Sequence, residues 1–149
     1  MLDWGRKRNE DIIAPAVQAL SMLSEAEICW FDRILAQKLF ALDGEKYATP
    51  LGWNDASGHH FSVDSFLYAR CCVVTNGNRF YEKVLKNPSL MPQDCTFESL
   101  LYLAEKAYHL KTGSDDYDYL PPASYEMFSN HEGWPDMPTL QELVKGLEA

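Results

Sequence analysis

The chain has 149 residues, of which 46% are hydrophobic and 13% aromatic, enough to bury one core of ordinary domain size. The net charge of −9 is uneven: residues 1–93 hold 11 acids and 10 bases, whereas residues 94–149 hold 11 acids and 3 bases. An anionic final third argues against nucleic-acid binding and favours a basic partner, and no apolar run is long enough to span a membrane.

Arg6, Lys7 and Arg8 precede an apolar patch that Pro15 splits and that lacks a small-residue cleavage site, so no secretory signal is expected. Residues 1–23 read as a weakly defined extension or helix. Ser24-Glu25-Ala26-Glu27 has the form of a capping box, in which the serine oxygen accepts from the amide three residues on while Glu27 reaches back. The helix it starts carries Ile28, Phe31, Leu35, Leu39 and Leu42 at helical spacing. Trp30 and Ile34 widen the stripe, which implies a central helix, and Asp43-Gly44 stops it.

Residues 51–63 read as a loop. Asp64 is placed to cap a helix from Ser65 to Asn76, with Gly77 in the left-handed position after it. A shorter helix follows over residues 78–86. The clearest periodicity is Phe97, Leu100, Leu101, Ala104 and Tyr108, capped by Thr96 or Asp94 and ended by Thr112-Gly113. After residues 113–138, Thr139 and Glu142 form a second capping box for a final helix bearing Leu140, Leu143, Val144 and Leu147. No strand alternation is visible. The expected class is all-α: one small bundle of five to six helices spanning residues 1–149.

Residues 113–138 mix acids with three tyrosines, a phenylalanine, a tryptophan and four prolines, in a stretch too long for an ordinary connection and too aromatic for disorder. Two roles are open to it. Its aromatics can cover the bundle, and its acids can present a proline-braced recognition surface.

Arg70 falls near the middle of the apolar stripe formed by Phe66, Ala69, Val73 and Val74. A guanidinium facing a core must be paired, so Arg70 reads as a clamp onto a carboxylate, with Asp115, Asp116 or Asp118 as the nearest supply. The competing reading is an anion pocket shared with Asp64. Glu98, Tyr102, Glu105 and His109 share one polar strip. Glu105 and His109 could share a metal or trade a proton, but an exposed i,i+4 pair explains them as well, and the Glu-x-x-His pairs of diiron bundles are absent.

His59 and His60 are adjacent and point apart, which makes them poor joint ligands. The cysteines, Cys29, Cys71, Cys72 and Cys95, form neither a disulfide framework nor a C-x-x-C pair, and read as apolar residues in a reducing cytoplasm. No catalytic residue, metal or cofactor is assigned.

The run at residues 61–90, with Asp64, Phe66, Arg70, Val73, Val74, Gly77, Tyr81, Leu85 and Pro88, resembles the bacterial domain-of-unknown-function family numbered forty-two-forty. Residues 100–113, LLYLAEKAYHLKTG, and Gly133-Trp134 look similar to it too. The resemblance covers residues 24–149, leaving the first 23 without counterpart. It departs where the family often has a tryptophan after the arginine, since Cys71 and Cys72 stand there. It implies a small helical cytoplasmic domain without a settled activity, of a type that sometimes serves as immunity partner to a toxin.

The leading expectation is a non-enzymatic binding protein, in its narrow form an acidic immunity protein or antitoxin occluding a toxin's basic site. Asp115, Asp116, Tyr117, Asp118, Tyr119 and Trp134 are then the contact. Neither nucleic acid nor membrane is expected as a partner. The alternatives are an enzyme or small-ligand protein with a pocket around Asp64, Arg70, Glu105 and His109, and a regulatory accessory domain.

Overall fold

A computed structural model describes residues 6–55, 61–138 and 140–148. His59, His60 and the cap residue Thr139 lie outside the described residues. The fold is all-α. Among the described residues there are seven α-helices: α1 (Arg6–Ser21), α2 (Glu25–Ala41), α3 (Glu45–Ala48), α4 (Val63–Thr75), α5 (Asn78–Lys86), α6 (Leu103–Thr112) and α7 (Leu140–Glu148). That exceeds the expected five to six because α1 and the one-turn α3 add to the five read from periodicity.

α1 runs straight through Pro15. A proline inside a helix costs about 3 kcal/mol, and packing offsets it here: Ile13 and Leu20 are buried in one core with Leu103, Ala104 and Ala107 of α6. The capping box of α2 forms as read, with Glu27 N donating to Ser24 Oγ at 3.2 Å and Ser24 N donating to Glu27 Oε2 at 2.9 Å. Its stripe is narrower than expected. Ile28, Leu35, Ala36 and Leu39 are buried, whereas Trp30 and Ile34 are 58% and 37% exposed.

At α4 the cap is Ser62, whose Oγ accepts from Ser65 N at 3.2 Å. Asp64, expected as the cap, sits exposed in the first turn. Gly77 does adopt a positive φ of 95°, but with an extended ψ of 164°, so it opens α5 rather than closing α4 in a left-handed cap. The helix expected from Phe97 begins as a 3-10 stretch, Glu98–Tyr102, before becoming α6. Gly113 ends α6 in the left-handed region at φ 72°, its N–H donating to His109 O at 2.8 Å.

α4 divides the core. Cys71 faces a cluster with Ile28, Leu35, Phe97 and Leu103, while Phe66, Ala69 and Val73 face a second with Leu42, Tyr47, Tyr81, Val84, Met127 and Trp134. Cys72 and Cys95, expected as free thiols, form a disulfide tying α4 to the segment before the 3-10 stretch, across a Cα–Cα distance of 6.3 Å. Twenty-two intervening residues hid the pair, since sequence spacing does not report which cysteines a fold brings together. Cys29 and Cys71 stay free, and burial pushes the Cys71 thiol up to about 12.

Candidate functional site

The long irregular segment, residues 113–138, is a strap laid across the C-terminal end of α2. A helix end leaves its last carbonyls without partners inside the helix, and this fold fills them from three directions. Tyr81 Oη donates to Lys38 O at 3.0 Å, Arg70 Nη1 to Leu39 O at 3.0 Å, and Asn130 Nδ2, from the strap, to Phe40 O at 3.1 Å. The Arg70 charge also complements the negative end of the α2 dipole.

Arg70 therefore does clamp, but not onto the carboxylates its burial implied. Its Nη2 donates to Tyr125 O of the strap at 2.9 Å, and its guanidinium carbon lies 4.5 Å from the Phe66 ring centroid. It is 0% exposed. Burial pulls the guanidinium below its ordinary pKa, and the charge of Asp43 opposes that shift. Asp115, Asp116 and Asp118 are exposed elsewhere, and Asp64 does not pair with Arg70. Leu39 O, at a helix end, carries partial negative charge and costs less to desolvate than an ionised carboxylate, while the buried Arg70 Nε has no hydrogen-bond partner.

The carboxylate that is buried is Asp43, which directly follows α2. Its Oδ1 accepts from Trp134 Nε1 at 2.9 Å and Phe128 N at 3.2 Å, and its Oδ2 accepts from Asn130 N at 2.9 Å. Three donors replace the water that a buried carboxylate loses. The Asp43 bond also helps hold Phe128 in the left-handed region at φ 73°, a conformation that costs a bulky residue about 1–2 kcal/mol. Packing shares that load: the Trp134 ring centroid lies 4.7 Å from Phe128 and 5.3 Å from Trp53. Gly133 lets the strap touch the turn after α2, since a Cβ there would lie 2.8 Å from Gly44 Cα.

Trp134, expected at a partner contact, is thus a core residue, 3% exposed. The prolines that hide any periodicity around it also hide which way it points.

The first part of the strap is held differently. Tyr117 Oη donates to Asp32 Oδ2 of α2 at 2.7 Å, and Tyr108 Oη of α6 donates to Asp116 Oδ1 at 2.9 Å, with the two tyrosine rings 5.3 Å apart. Asp116 also accepts from Ser114 Oγ at 2.6 Å, and the hydrogen bonds from Ser114 and Tyr108 hold its carboxyl below the usual range. Burial raises Asp32 while the Tyr117 hydroxyl opposes the shift. His109 Nδ1 lies 2.9 Å from Asp115 Oδ1. Burial first, and then the charges of Asp32, Glu25 and Asp118, push the Cys29 thiol up, which places the strap acids and the start of α2 in one negative field.

Asp115 and Asp118 remain exposed, Tyr119 is half-buried, and Leu120 is 86% exposed. On the polar strip, Tyr102 Oη donates to Glu98 Oε1 at 3.2 Å, and Glu105 and His109 are exposed while Arg70 is enclosed. The structure does not bring these groups together into one pocket. No group of three or more metal-ligating side chains converges among the described residues.

Among the clefts of the described residues, one borders the strap and another lies away from it. One of about 520 Å³ lies between α3 and the strap, lined by Asp43, Glu45, Lys46, Asn130 and Glu132. The other, about 440 Å³, runs between α1 and α6 beside Ile13, Val17 and Leu110. In the first, the Asp43 oxygens are already occupied by strap donors, so it offers no free buried charge to a ligand.

Asp43 and Asp32 were not singled out as site residues by the sequence, and Tyr125 only as one of the aromatics covering the bundle. Asp43 carried a signal, but as half of a helix stop.

Fold and site together define a small all-α scaffold carrying a clamped acidic strap. Residues 2–110 match the family described as Protein of unknown function (DUF4240), and the chain belongs to that family. The match starts earlier than the resemblance at residues 24–149, so it takes in α1, and it ends at Leu110, before the strap. Neither a curated protein nor a solved structure matches the chain.

Proposed function

We propose that this chain is a binding protein for a basic protein surface, with Asp115, Asp118, Tyr119 and Leu120 as contact and Asp116 and Tyr117 as supports. The observation that carries the reading is the fixing of an irregular acidic segment at both ends while its apex stays exposed. Arg70 and Asp43 hold one end and Tyr108 and Asp32 the other, and Leu120 projects at 86% exposure. A surface ordered in advance loses little conformational freedom on binding. The charge of −8 over residues 94–149 selects cationic partners and speeds encounter. In its narrow form the partner is a toxin whose cationic active site the strap covers, the role of an acidic immunity protein or antitoxin.

The test is affinity capture with the tagged chain at low and high salt, comparing wild type with the Asp115→Lys/Asp118→Lys variant. A stoichiometric basic partner, released by salt and lost in the variant, is the expected result. A partner retained equally by the variant removes the strap from the contact.

A further inference from the structure

Two apolar residues that the sequence added to the core stripe of α2, Trp30 and Ile34, face outward. Trp30 is 58% and Ile34 37% exposed, and at the turn before the helix Met22 and Leu23 are 85% and 43% exposed. Trp30 and Ile34 are one turn apart on the same face, and Glu27 stands one turn before Trp30. Single exposed apolar residues need no explanation. A tryptophan and an isoleucine one turn apart form a patch, and the guanidinium of Arg33 lies 5.5 Å from the Trp30 ring centroid. Tryptophan and arginine are the residues that most often dominate binding energy at interfaces.

The patch adjoins the strap. At about 100° per residue, Arg33 lies between Trp30 and Cys29, and Cys29 sits in the field of Asp118. Asp32, one turn from Cys29, holds Tyr117 of the strap at 2.7 Å. Acids therefore border the ridge on two sides: Glu25 and Glu27 in the first turn of α2, and Asp118 on the strap, whose charge reaches Cys29. An apolar ridge bordered by acids is complementary to an apolar face bordered by cations.

We propose that Trp30 and Ile34 are the apolar anchor of the partner contact, packing against an apolar face rimmed by lysine or arginine on a basic protein. This rests on the reading of the strap as an acidic recognition surface and adds the part that supplies affinity. The strap steers and orients the partner. The ridge holds it.

The test uses the full chain and two helical peptides of equal positive charge, one amphipathic and made of lysine and leucine, the other carrying lysine on a polar background. Calorimetry gives the dissociation constants for wild type, Trp30→Ala, Ile34→Ser and Asp115→Lys/Asp118→Lys, with circular dichroism confirming that each variant folds. The expected result is that wild type binds the leucine-containing peptide about tenfold tighter than its charge match, as one hot-spot side chain supplies. Trp30→Ala and Ile34→Ser then erase that preference without changing affinity for the polar peptide, and the double aspartate variant weakens both peptides.

Equal affinity of wild type for the two peptides overturns the anchor and leaves the strap reading intact. Polar-peptide binding unchanged in the aspartate variant overturns the strap reading, whatever the ridge does. If sedimentation shows a wild-type dimer that Trp30→Ala dissociates, the occupant is a second copy of this chain and the proposal fails.

Discussion

The two ends of the strap are fixed by opposite means. Near Tyr125–Trp134 the anchors are two fully buried charges, Arg70 and Asp43, which share α2's end and spend themselves on main-chain groups and one indole. Near Ser114–Tyr117 the anchors are side-chain hydrogen bonds, an exposed one from Tyr108 to Asp116 and a half-buried one from Tyr117 to Asp32. A bond at the surface exchanges with water at little net cost, whereas a buried donor or acceptor that loses its partner carries the whole desolvation penalty. The buried end should therefore decide whether the strap is in place, and the surface end how its acidic apex is presented.

The sharpest break in that comparison comes from Asp43→Ala, which strands the Trp134 indole and the N–H groups of Phe128 and Asn130. Loss of a buried charged partner costs about 3–5 kcal/mol, so the urea midpoint should fall steeply. Asp43→Asn, which keeps an acceptor, should lose less. A fall no larger than that of a surface tyrosine variant would remove the distinction between the two ends. Arg70→Met comes next, at about 2–4 kcal/mol, because it takes the donor from Tyr125 O and leaves Leu39 O with Leu42 N alone, but fills the space with an apolar chain. Unchanged thermal stability in that variant would show that Arg70 is no clamp.

How much of this was legible depended on how local the cause was. Ser24 with Glu27, and Gly113 after α6, declared helix ends because a cap needs only its own neighbours. The need of Arg70 for a partner was legible from its place in an apolar stripe. The partner was not, because a carbonyl at another helix's end has no sequence signature. Asp43 looked like punctuation for the same reason: its three donors arrive from 85 to 91 residues away. Trp30 and Trp134 were assigned to each other's environments. One sits in a helix apolar on several sides and the other in a segment without period, so in neither did the pattern determine which way the ring points. α1 was obscured by Pro15, whose local cost the contact with α6 overrides.

The surface end has its own, smaller test in Tyr117→Phe, which removes one hydroxyl and leaves the ring against Tyr108. At neutral pH the loss should be about 0.5–1.5 kcal/mol, the net worth of one hydrogen bond. Its pH dependence separates the bond from mere packing. Burial and the neighbouring Asp32 carboxylate raise the Tyr117 hydroxyl above its ordinary value of 10.0. Above pH 10 the unfolded chain gives up that proton while the folded chain keeps it. Wild type therefore loses stability with rising pH on this account, and phenylalanine does not. The gap between the two proteins should narrow as pH rises above 10. On the acid side the sign comes from Asp32, whose carboxyl burial raises from 3.8 and the Tyr117 hydroxyl lowers. With the hydroxyl gone, Asp32 should titrate at higher pH in the variant. The folded state then binds its proton over a wider window, and the stability lost as pH climbs through that window grows. Carboxyl-detected NMR titration of Asp32 in both proteins reads this directly. An Asp32 that titrates identically in the two would mean that the 2.7 Å contact does not bear on the carboxylate, leaving the apex of the strap positioned by Tyr108 and Asp116 alone.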